Sequence, residues 1–383
     1  MADPAATTLH TDNYYLVTGA NGGLGLSIAK RLCRDFLLTQ PSDKTVTIIF
    51  TTRSSRKSTA TLSTLLSYLA TLDAQGHAAT LRVRFSTAQV DLTDLRSVIA
   101  LAKHLNHTFP KLDAVIFNAG MGAFLGIDWL NAFKSLALNW VEAVTHPTYK
   151  IQAVGRVITQ AGTGEDLGEI FCANVFGHYY LAHEVLPLLR KGLGRVVWIS
   201  SLEAYAWAYS EKDLEGRAAS HSYESSKRLT DVLALTSDLK ATKPWADGFL
   251  GEQQNADGER KVKLFTCHPG ICATSMVELP LVLWYCMTLA FYIARWLGSP
   301  WHSISTEAGA NSAVHLALIG EEELKETKAE RKKWGSGSDR AGREVLKITE
   351  VEGEGGEEWE ALGRETWRQM EELRVMWKKR LEG

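Results

Sequence analysis

"YYLVT" (14–18), followed at once by "GANGGLGLSIAKRL" (19–32), is the stretch on which the reading of this chain turns. A short β-rich run stops in a cluster of glycines, and Leu24, Ile28 and Leu32 then recur at helical spacing. The glycines therefore occupy a strand-to-helix turn, where a loop without side chains can bring phosphate against a helix N-terminus. The spacing is TGxxxGxG rather than GxGxxG, and a glycine loop by itself is a weak signal. Its position at the start of an α/β pattern is what gives it weight.

Working outward, "KTVTIIFTTR" (44–53) predicts a second strand and "STATLSTLLSYLATLDAQ" (58–75) a helix. "LRVRFSTAQVDL" (81–92) predicts a third strand, "LTDLRSVIALAKHLNHTF" (92–109) a helix, and "LDAVIFNAG" (112–120) a fourth strand with a turn. Helix resumes at 167–189; "GRVVWISS" (194–201) and "KVKLFTCHPG" (261–270) are the fifth and sixth strands, with the helix "YESSKRLTDVLALTSDLK" (223–240) between them. Alternation of this kind predicts an α/β fold, a Rossmann-type doubly wound parallel sheet, as a single domain over 12–320. Periodicity fades over 121–166, where "THPTYKIQ" (145–152) reads as a loop, and 243–260 reads as an exposed loop. Beyond Gly320 the composition turns to charge and glycine. "GSGSDRAGRE" (335–344) and "EGEGGEE" (352–358) read as linkers, so 321–383 is expected to be a charged linker with a C-terminal helical extension. That last helix carries an apolar stripe of Trp359, Leu362, Met370, Leu373, Trp377 and Leu381, which suits packing.

The bulk properties exclude several classes. At 383 residues the chain can bury a substantial core, and 45% hydrophobic with 22% charged residues and a formal charge of −2 offer nothing basic enough for nucleic acid. Five cysteines without a CxxC pair argue against a disulfide framework or a zinc site, and fit a reducing compartment. The leading "MADPAATTLHTDN" lacks the charged-then-apolar pattern of a signal peptide.

Chemistry concentrates in "SHSYESSKRL" (220–229), where Tyr223 and Lys227 stand four apart and share one helix face. A phenol is a poor acid or base near neutrality, and an adjacent ammonium lowers its pKa, so the pair suits acid–base catalysis. Two ordinary surface residues would give the same spacing. At the end of the second strand, "TTRSSRK" holds no carboxylate for a ribose 2′-hydroxyl. Arg53, with Arg56 and Lys57 nearby, offers positive charge for a 2′-phosphate, which favours NADP over NAD. A basic loop with no such role is the plain alternative. His178, His183, His221 and His268 lack ligand spacing and read as structural or surface residues, so no metal is expected.

TGxxxGxG, "VDL" with Asp91, Asn118-Ala119-Gly120, the Ser200-Ser201 pair, Tyr223-xxx-Lys227 and Pro269-Gly270 occur in one order over about residues 14–275. This order resembles the short-chain dehydrogenase/reductase family. The resemblance implies an NADPH-dependent oxidoreductase in which Gly19, Gly23 and Gly25 admit the pyrophosphate and Asn21 and Leu24 also bind the cofactor. Arg53 meets the 2′-phosphate, Asp91 lies by the adenine, Asn118 secures the central strand and Thr274 contacts the carboxamide side. It further implies that Ser201 orients a substrate carbonyl, with Ser200 as the fallback. Tyr223 protonates that carbonyl, Lys227 binds ribose hydroxyls and depresses the phenol's pKa, and Asn174 supports a proton relay to Lys227 through water.

Three departures narrow the resemblance. Ser201 and Tyr223 stand 22 apart, and the intervening "YSEKDLEG" is similar to members that reduce retinoids and sterols. Asn118 and Asn174 stand 56 apart, which leaves an insertion of about 121–166 near the site. Its "GIDWLNAF" and "EAVTHPTYKIQAVGR" resemble the fungal 3-keto-steroid reductases of sterol C4-demethylation. Last, "LPLVLWYCMTLAFYIARWLGSPW" (279–301) holds sixteen uncharged residues, Leu279–Ala294. As a helix these reach only about 24 Å, too short for a bilayer core. A helix lying in the membrane interface is expected, with Trp284, Trp296 and Trp301 near the headgroups; a buried lid or a dimer contact is the alternative.

The resulting expectation is reduction of a sterol 3-ketone to the 3-hydroxyl. The resemblance implies the endoplasmic reticulum surface, with lipid droplets as a second location, and the company of other C4-demethylation enzymes; a homodimer is a further option. Retinal or 17-keto-steroid reduction on the same scaffold, and a non-catalytic dinucleotide sensor or scaffold, remain the other readings.

Overall fold

The computed structural model describes residues 12–251, 261–273 and 280–382. The opening stretch forms strand β1 (Asp12–Val17), a turn, and helix α1 (Gly23–Thr39). Ile28, Leu32 and Phe36 recur every four residues and are buried against the sheet. Next come β2 (Thr45–Thr52), α2 (Ser55–Ala74), β3 (Val83–Gln89), α3 (Leu95–Thr108) and β4 (Ala114–Phe117). Ser54 and Asp94 cap α2 and α3 by accepting backbone N–H bonds, which stops each strand cleanly before its helix. After the insertion, α4 (Gly177–Glu184) leads to β5 (Arg195–Ile199), α5 (Ser222–Leu235) and β6 (Lys263–His268). The chain continues through α6 (Leu281–Trp296), α7 (Asn311–Leu318), β7 (Lys333–Ser338), β8 (Glu344–Thr349) and α8 (Gly356–Glu382).

The sheet order is β8-β7-β6-β5-β4-β1-β2-β3; β8 alone runs antiparallel, along the edge. Strand order reverses between β1 and β4, and such a switch point opens a crevice at the carboxyl ends of the strands. Two apolar layers cover the faces. One gathers α1, α2 and α7; the other gathers α3, α4, α5 and α8. The expected parallel Rossmann sheet is therefore present.

The structure corrects the reading after Gly320. Residues 333–338, "KWGSGS", are not a linker but a fully buried seventh parallel strand, paired to β6 through Thr266, Cys267 and His268. Their small side chains answer to packing. A Cβ on Gly335 would lie 2.6 Å from His268 Nε2 and from the Trp301 ring, and one on Gly337 2.5 Å from the Pro300 carbonyl oxygen. Residues 344–349 form the edge strand. The C-terminal stripe packs inward: Trp359, Met370 and Trp377 are buried, and Trp367 joins them beside Tyr179 and Phe249.

Within the insertion, two small antiparallel hairpins (Phe124–Ile127 with Lys150–Gln152, and Val157–Thr159 with Asp166–Gly168) flank helices Trp129–Leu138 and Trp140–Thr145. "THPTYKIQ" thus ends in a strand rather than a loop, because Lys150–Gln152 finds its partner more than twenty residues upstream. Likewise Lys243–Leu250 of the expected exposed loop is helical, with Phe249 buried under α8. Thr274 and Leu279 lie outside the described residues.

Candidate active site

The turn after β1 shows why glycine recurs there. Gly19 has φ +69, and a Cβ on it would sit 2.8 Å from that of Ala119. A Cβ on Gly25 would collide with the Gly19 carbonyl, so α1 can pack this close only with glycine. Around Gly23 the space is open, with nothing within 4 Å of where a Cβ would stand. The first turn of α1 has no side-chain cap, and Gly23, Leu24 and Gly25 border the crevice, which leaves backbone N–H groups there for another acceptor. Asn118 braces the turn, donating from Nδ2 to the carbonyls of Thr18 (3.0 Å) and Gly19 (3.3 Å).

Beneath it, the Thr18 hydroxyl accepts from the backbone N–H of Asn118 (3.0 Å) and of Ala119 (3.1 Å). Its own proton goes to His178 Nε2 at 2.9 Å, and His178 Nδ1 then donates to the Asn174 carbonyl at 3.3 Å. Burial pushes this imidazole's pKa down to about 3, so it stays neutral. His178 is structural, as expected, yet it ties the glycine turn to the Asn174 segment.

Asn174 sits in a single π-helical turn, Cys172–Phe176, a distortion that often accompanies functional positions. Its Oδ1 accepts from Met121 N (2.8 Å), and Nδ2 donates to Met121 O (2.9 Å) and Ser226 Oγ (3.0 Å). Lys227 borders the same space at Gly120. A Cβ on that glycine would lie 3.0 Å from Asn174 Oδ1 and 3.9 Å from Lys227 Nζ.

Tyr223 and Lys227 share the inner face of α5, with Lys227 Nζ 5.6 Å from the centre of the Tyr223 ring. Lys227 donates to the Ile199 carbonyl at 2.7 Å. Burial, reinforced by Lys333 and opposed by Asp231, brings its pKa down to about 8. The Tyr223 phenol moves upward, chiefly through burial and then through the charge of Glu203; a hydrogen bond from Ser201 only partly offsets this. The expectation that Lys227 depresses the phenol is therefore corrected. Desolvation of the buried hydroxyl is the largest cause, with the Glu203 carboxylate next. In this state the phenol keeps its proton through the ordinary pH range.

The two serines separate cleanly. Ser200 turns into the fold and donates to the Lys227 carbonyl at 3.3 Å, whereas Ser201 accepts from Glu203 N at 3.1 Å and lies close enough to Tyr223 to pull the phenol's pKa down. Ser201 is the one placed beside the phenol.

One groove of about 530 Å³ joins these groups. Gly19, Asn21, Gly23, Leu24, Gly25, Arg53, Asp91, Asn118, Ser201, Tyr223 and Lys227 all line it, while Asn174 braces its floor from behind. Its size suits an organic ligand. Arg53 is exposed at the end of β2 and forms no ion pair among the described residues; Arg56 and Lys57 lie outside the lining. Open backbone N–H groups at one point and a free guanidinium at another fit a ligand carrying phosphate at both.

Residues 13–227 match the family model of the short chain dehydrogenases. The chain belongs to that family. Within this family, three curated fungal relatives cover nearly the whole chain. The 3-keto-steroid reductase erg27 of Aspergillus fumigatus is 42% identical over 95% of this chain and 94% of its own. The 3-keto-steroid reductase ERG27 of Gibberella zeae is 34% identical over 95% and 94%. That of Saccharomyces cerevisiae is 33% identical over 88% and 89%. Among solved structures, an uncharacterized protein from Mycobacterium paratuberculosis aligns over 95% of this chain and 93% of its own, with 19% identity and a TM-score of 0.51, a likeness of fold.

Several side chains around Tyr223 escaped the sequence reading. Gln152 accepts the Tyr223 backbone N–H at 3.0 Å, Phe124 packs edge-on to its ring at 5.5 Å, and Lys150 stands 5.7 Å from the ring centre in an ion pair with Glu203. On the other side Lys333 donates at 2.6 Å to both the Ser201 carbonyl and Asp231. A three-residue strand and a Gly-Ser strand carry too little periodicity to announce such contacts.

Proposed function

We propose that this chain reduces the 3-keto group of a sterol intermediate to the 3-hydroxyl with NADPH, as an oxidoreductase of sterol C4-demethylation. The observation that carries the reading is near-full-length similarity to 3-keto-steroid reductases in a chain that brings Ser201, Tyr223 and Lys227 to one groove. Bound in that groove, NADPH supplies the hydride that the ketone carbon takes up. Ser201 holds the ketone oxygen, Tyr223 gives it the proton, and Lys227 steadies the phenolate left behind. Asn174, which borders the same space at Gly120 as Lys227, relays a replacement proton through water in this reading. Arg53 receives the 2′-phosphate, the turn at Gly19–Gly25 the pyrophosphate, and Asp91 the adenine side.

The test is NADPH oxidation by the purified protein in detergent with a 4-methyl-sterol 3-ketone, beside retinal and a 17-ketosteroid. Turnover confined to the sterol 3-ketone is expected, and activity only on the other two would discard the substrate. In Arg53→Ala, NADPH affinity should fall by about 10-fold or more, the loss of one charge-assisted phosphate contact, with NADH little affected. Unchanged selectivity would remove Arg53 from the phosphate site.

A water-insoluble sterol is best collected from a membrane, and the surface supports that. Helix α6 buries Phe291 and Ala294 against Val144 and Ile304, while Leu281, Val282, Leu289 and Trp296 face outward. The insertion helix Trp129–Leu138 packs Leu136 into the same cluster and exposes Leu130 (86%), Phe133 and Leu138. Of the three expected headgroup tryptophans, Trp296 is exposed and Trp284 half-buried, but Trp301 packs against His268 at 5.1 Å. No helix among the described residues is long and apolar enough to cross a membrane. The two helices together form a face that enters the interfacial layer of the endoplasmic reticulum membrane, among the other enzymes of the pathway. Flotation with phospholipid vesicles should carry the protein upward, and a Leu130→Glu, Leu289→Glu double variant should stay in the dense fraction. Equal flotation of both would refute this docking face.

A further inference from the structure

The insertion touches Tyr223 at three points, and each comes from one hairpin. Phe124–Ile127 pairs with Lys150–Gln152, and Phe124 stands opposite Gln152 in the ladder. Alternation along a strand sends Lys150 and Gln152 to one side and leaves Ile151 exposed on the other. The inward side closes on the first turn of α5. That helix starts after His221, which offers no side-chain cap, so its first N–H groups need acceptors from elsewhere. Gln152 provides one through Oε1, which takes the Tyr223 N–H, while its Nε2 donates to the buried Glu224 carboxylate. The insertion thus caps the helix that carries the phenol, and Phe124 fixes the ring from its edge.

Lys150 adds charge to this contact. Its ammonium pairs with buried Glu203, lies 4.7 Å from the Phe124 ring centre, and stands almost as near the Tyr223 ring (5.7 Å) as Lys227 does (5.6 Å). The charged groups facing Tyr223 are then Lys227 and Glu224 from α5, Glu203 from the turn after β5, and Lys150 from the hairpin. Glu203 itself is also faced by the hydroxyls of Tyr149 and Tyr205. Without Lys150, Glu203 would place an unpaired carboxylate beside a phenol that must become an anion as it gives up its proton.

We infer that Lys150 and Glu203 are a positioning pair for the Tyr223 phenol, which makes the insertion a working part of the acid–base centre. Lys150 neutralises Glu203 and adds a second positive charge near the forming phenolate beside that of Lys227; Glu203 in turn anchors Lys150 and, through its N–H, the Ser201 hydroxyl. The inference rests on Tyr223 being the proton donor.

The test compares Lys150→Met, Lys150→Arg and Lys150→Met with Glu203→Gln, using Tyr223→Phe as control. With the sterol 3-ketone, Lys150→Met should lose about 10- to 100-fold in kcat at unchanged KM for NADPH. Its kcat should also fall with rising pH as the orphaned Glu203, whose carboxyl burial already pushes above the ordinary range, ionises beside the phenol. Lys150→Arg should keep most of the activity, and the double variant should recover activity and lose the added pH dependence. If Lys150→Met does not fold, the double variant alone decides, since a neutral pair should retain a wild-type pH profile. Wild-type kcat and pH profile in Lys150→Met, or a double variant no better than the single, would overturn the pairing. Retained turnover in Tyr223→Phe would instead overturn the assignment of the proton donor, a separate outcome.

Discussion

Tyr223→Phe should lower turnover of the sterol 3-ketone by about 100- to 10,000-fold, the range for removing a positioned general acid. The ring keeps its place, because Phe124 holds its edge and Gln152 its backbone N–H, and neither contact uses the hydroxyl. What disappears is the O–H that shares the groove with Ser201. NADPH affinity, measured by fluorescence titration, should therefore change little. The pH dependence of kcat/KM for NADPH in the wild type supplies a second reading. The phenol's pKa is raised, so it remains protonated through the ordinary range, whereas the Lys227 ammonium titrates near its lowered value of about 8. Below that pH the working pair, neutral phenol and charged lysine, is intact; above it the charge is lost. The alkaline limb should thus have its midpoint near 8 and report Lys227. Near-normal turnover in Tyr223→Phe with the fold intact would end the catalytic assignment.

Lys333→Met should carry the largest stability penalty, about 3–5 kcal/mol in urea unfolding, as for breaking one side of a buried ion pair. Lys333 and Asp231 are both buried at 2.6 Å, and Asp231 also accepts from Thr266 Oγ1 at 2.8 Å. Removing the ammonium leaves a carboxylate enclosed between α5 and β6 with one hydroxyl for company. It also strips the donor from the Ser201 carbonyl, so turnover should fall along with stability. Adding Asp231→Asn should return much of the stability, since a neutral amide has far less to lose by burial. A urea midpoint equal to wild type in the single variant would show that this pair holds neither strand nor serine.

These two residues also show where sequence reasoning reached and where it stopped. Tyr223 and Lys227 were legible because four residues on a helix define a face without reference to anything else. Lys333 was not, because "KWGSGS" has the composition of a linker and its strand is made by β6 on one side and β8 on the other. The expected drop in the phenol's pKa failed for a related reason. The neighbouring charge is visible in the sequence, but the burial that overrules it belongs to the assembled site. Gln152 and Lys150 stood in a stretch read as a loop, since a three-residue strand exists only through its partner.

By itself the sequence determined the strand–turn–helix entry with its glycines, the alternation that makes a parallel sheet, and the shared face of Tyr223 and Lys227. All of these follow from backbone geometry repeated over a few residues. Tertiary structure alone decided that the glycine-serine segment is a core strand, that the insertion caps and charges the catalytic helix, and that the C-terminal helix packs on the same domain. Those features depend on residues distant in sequence meeting in space, and the free energy that holds them is stored in the contact rather than in either segment.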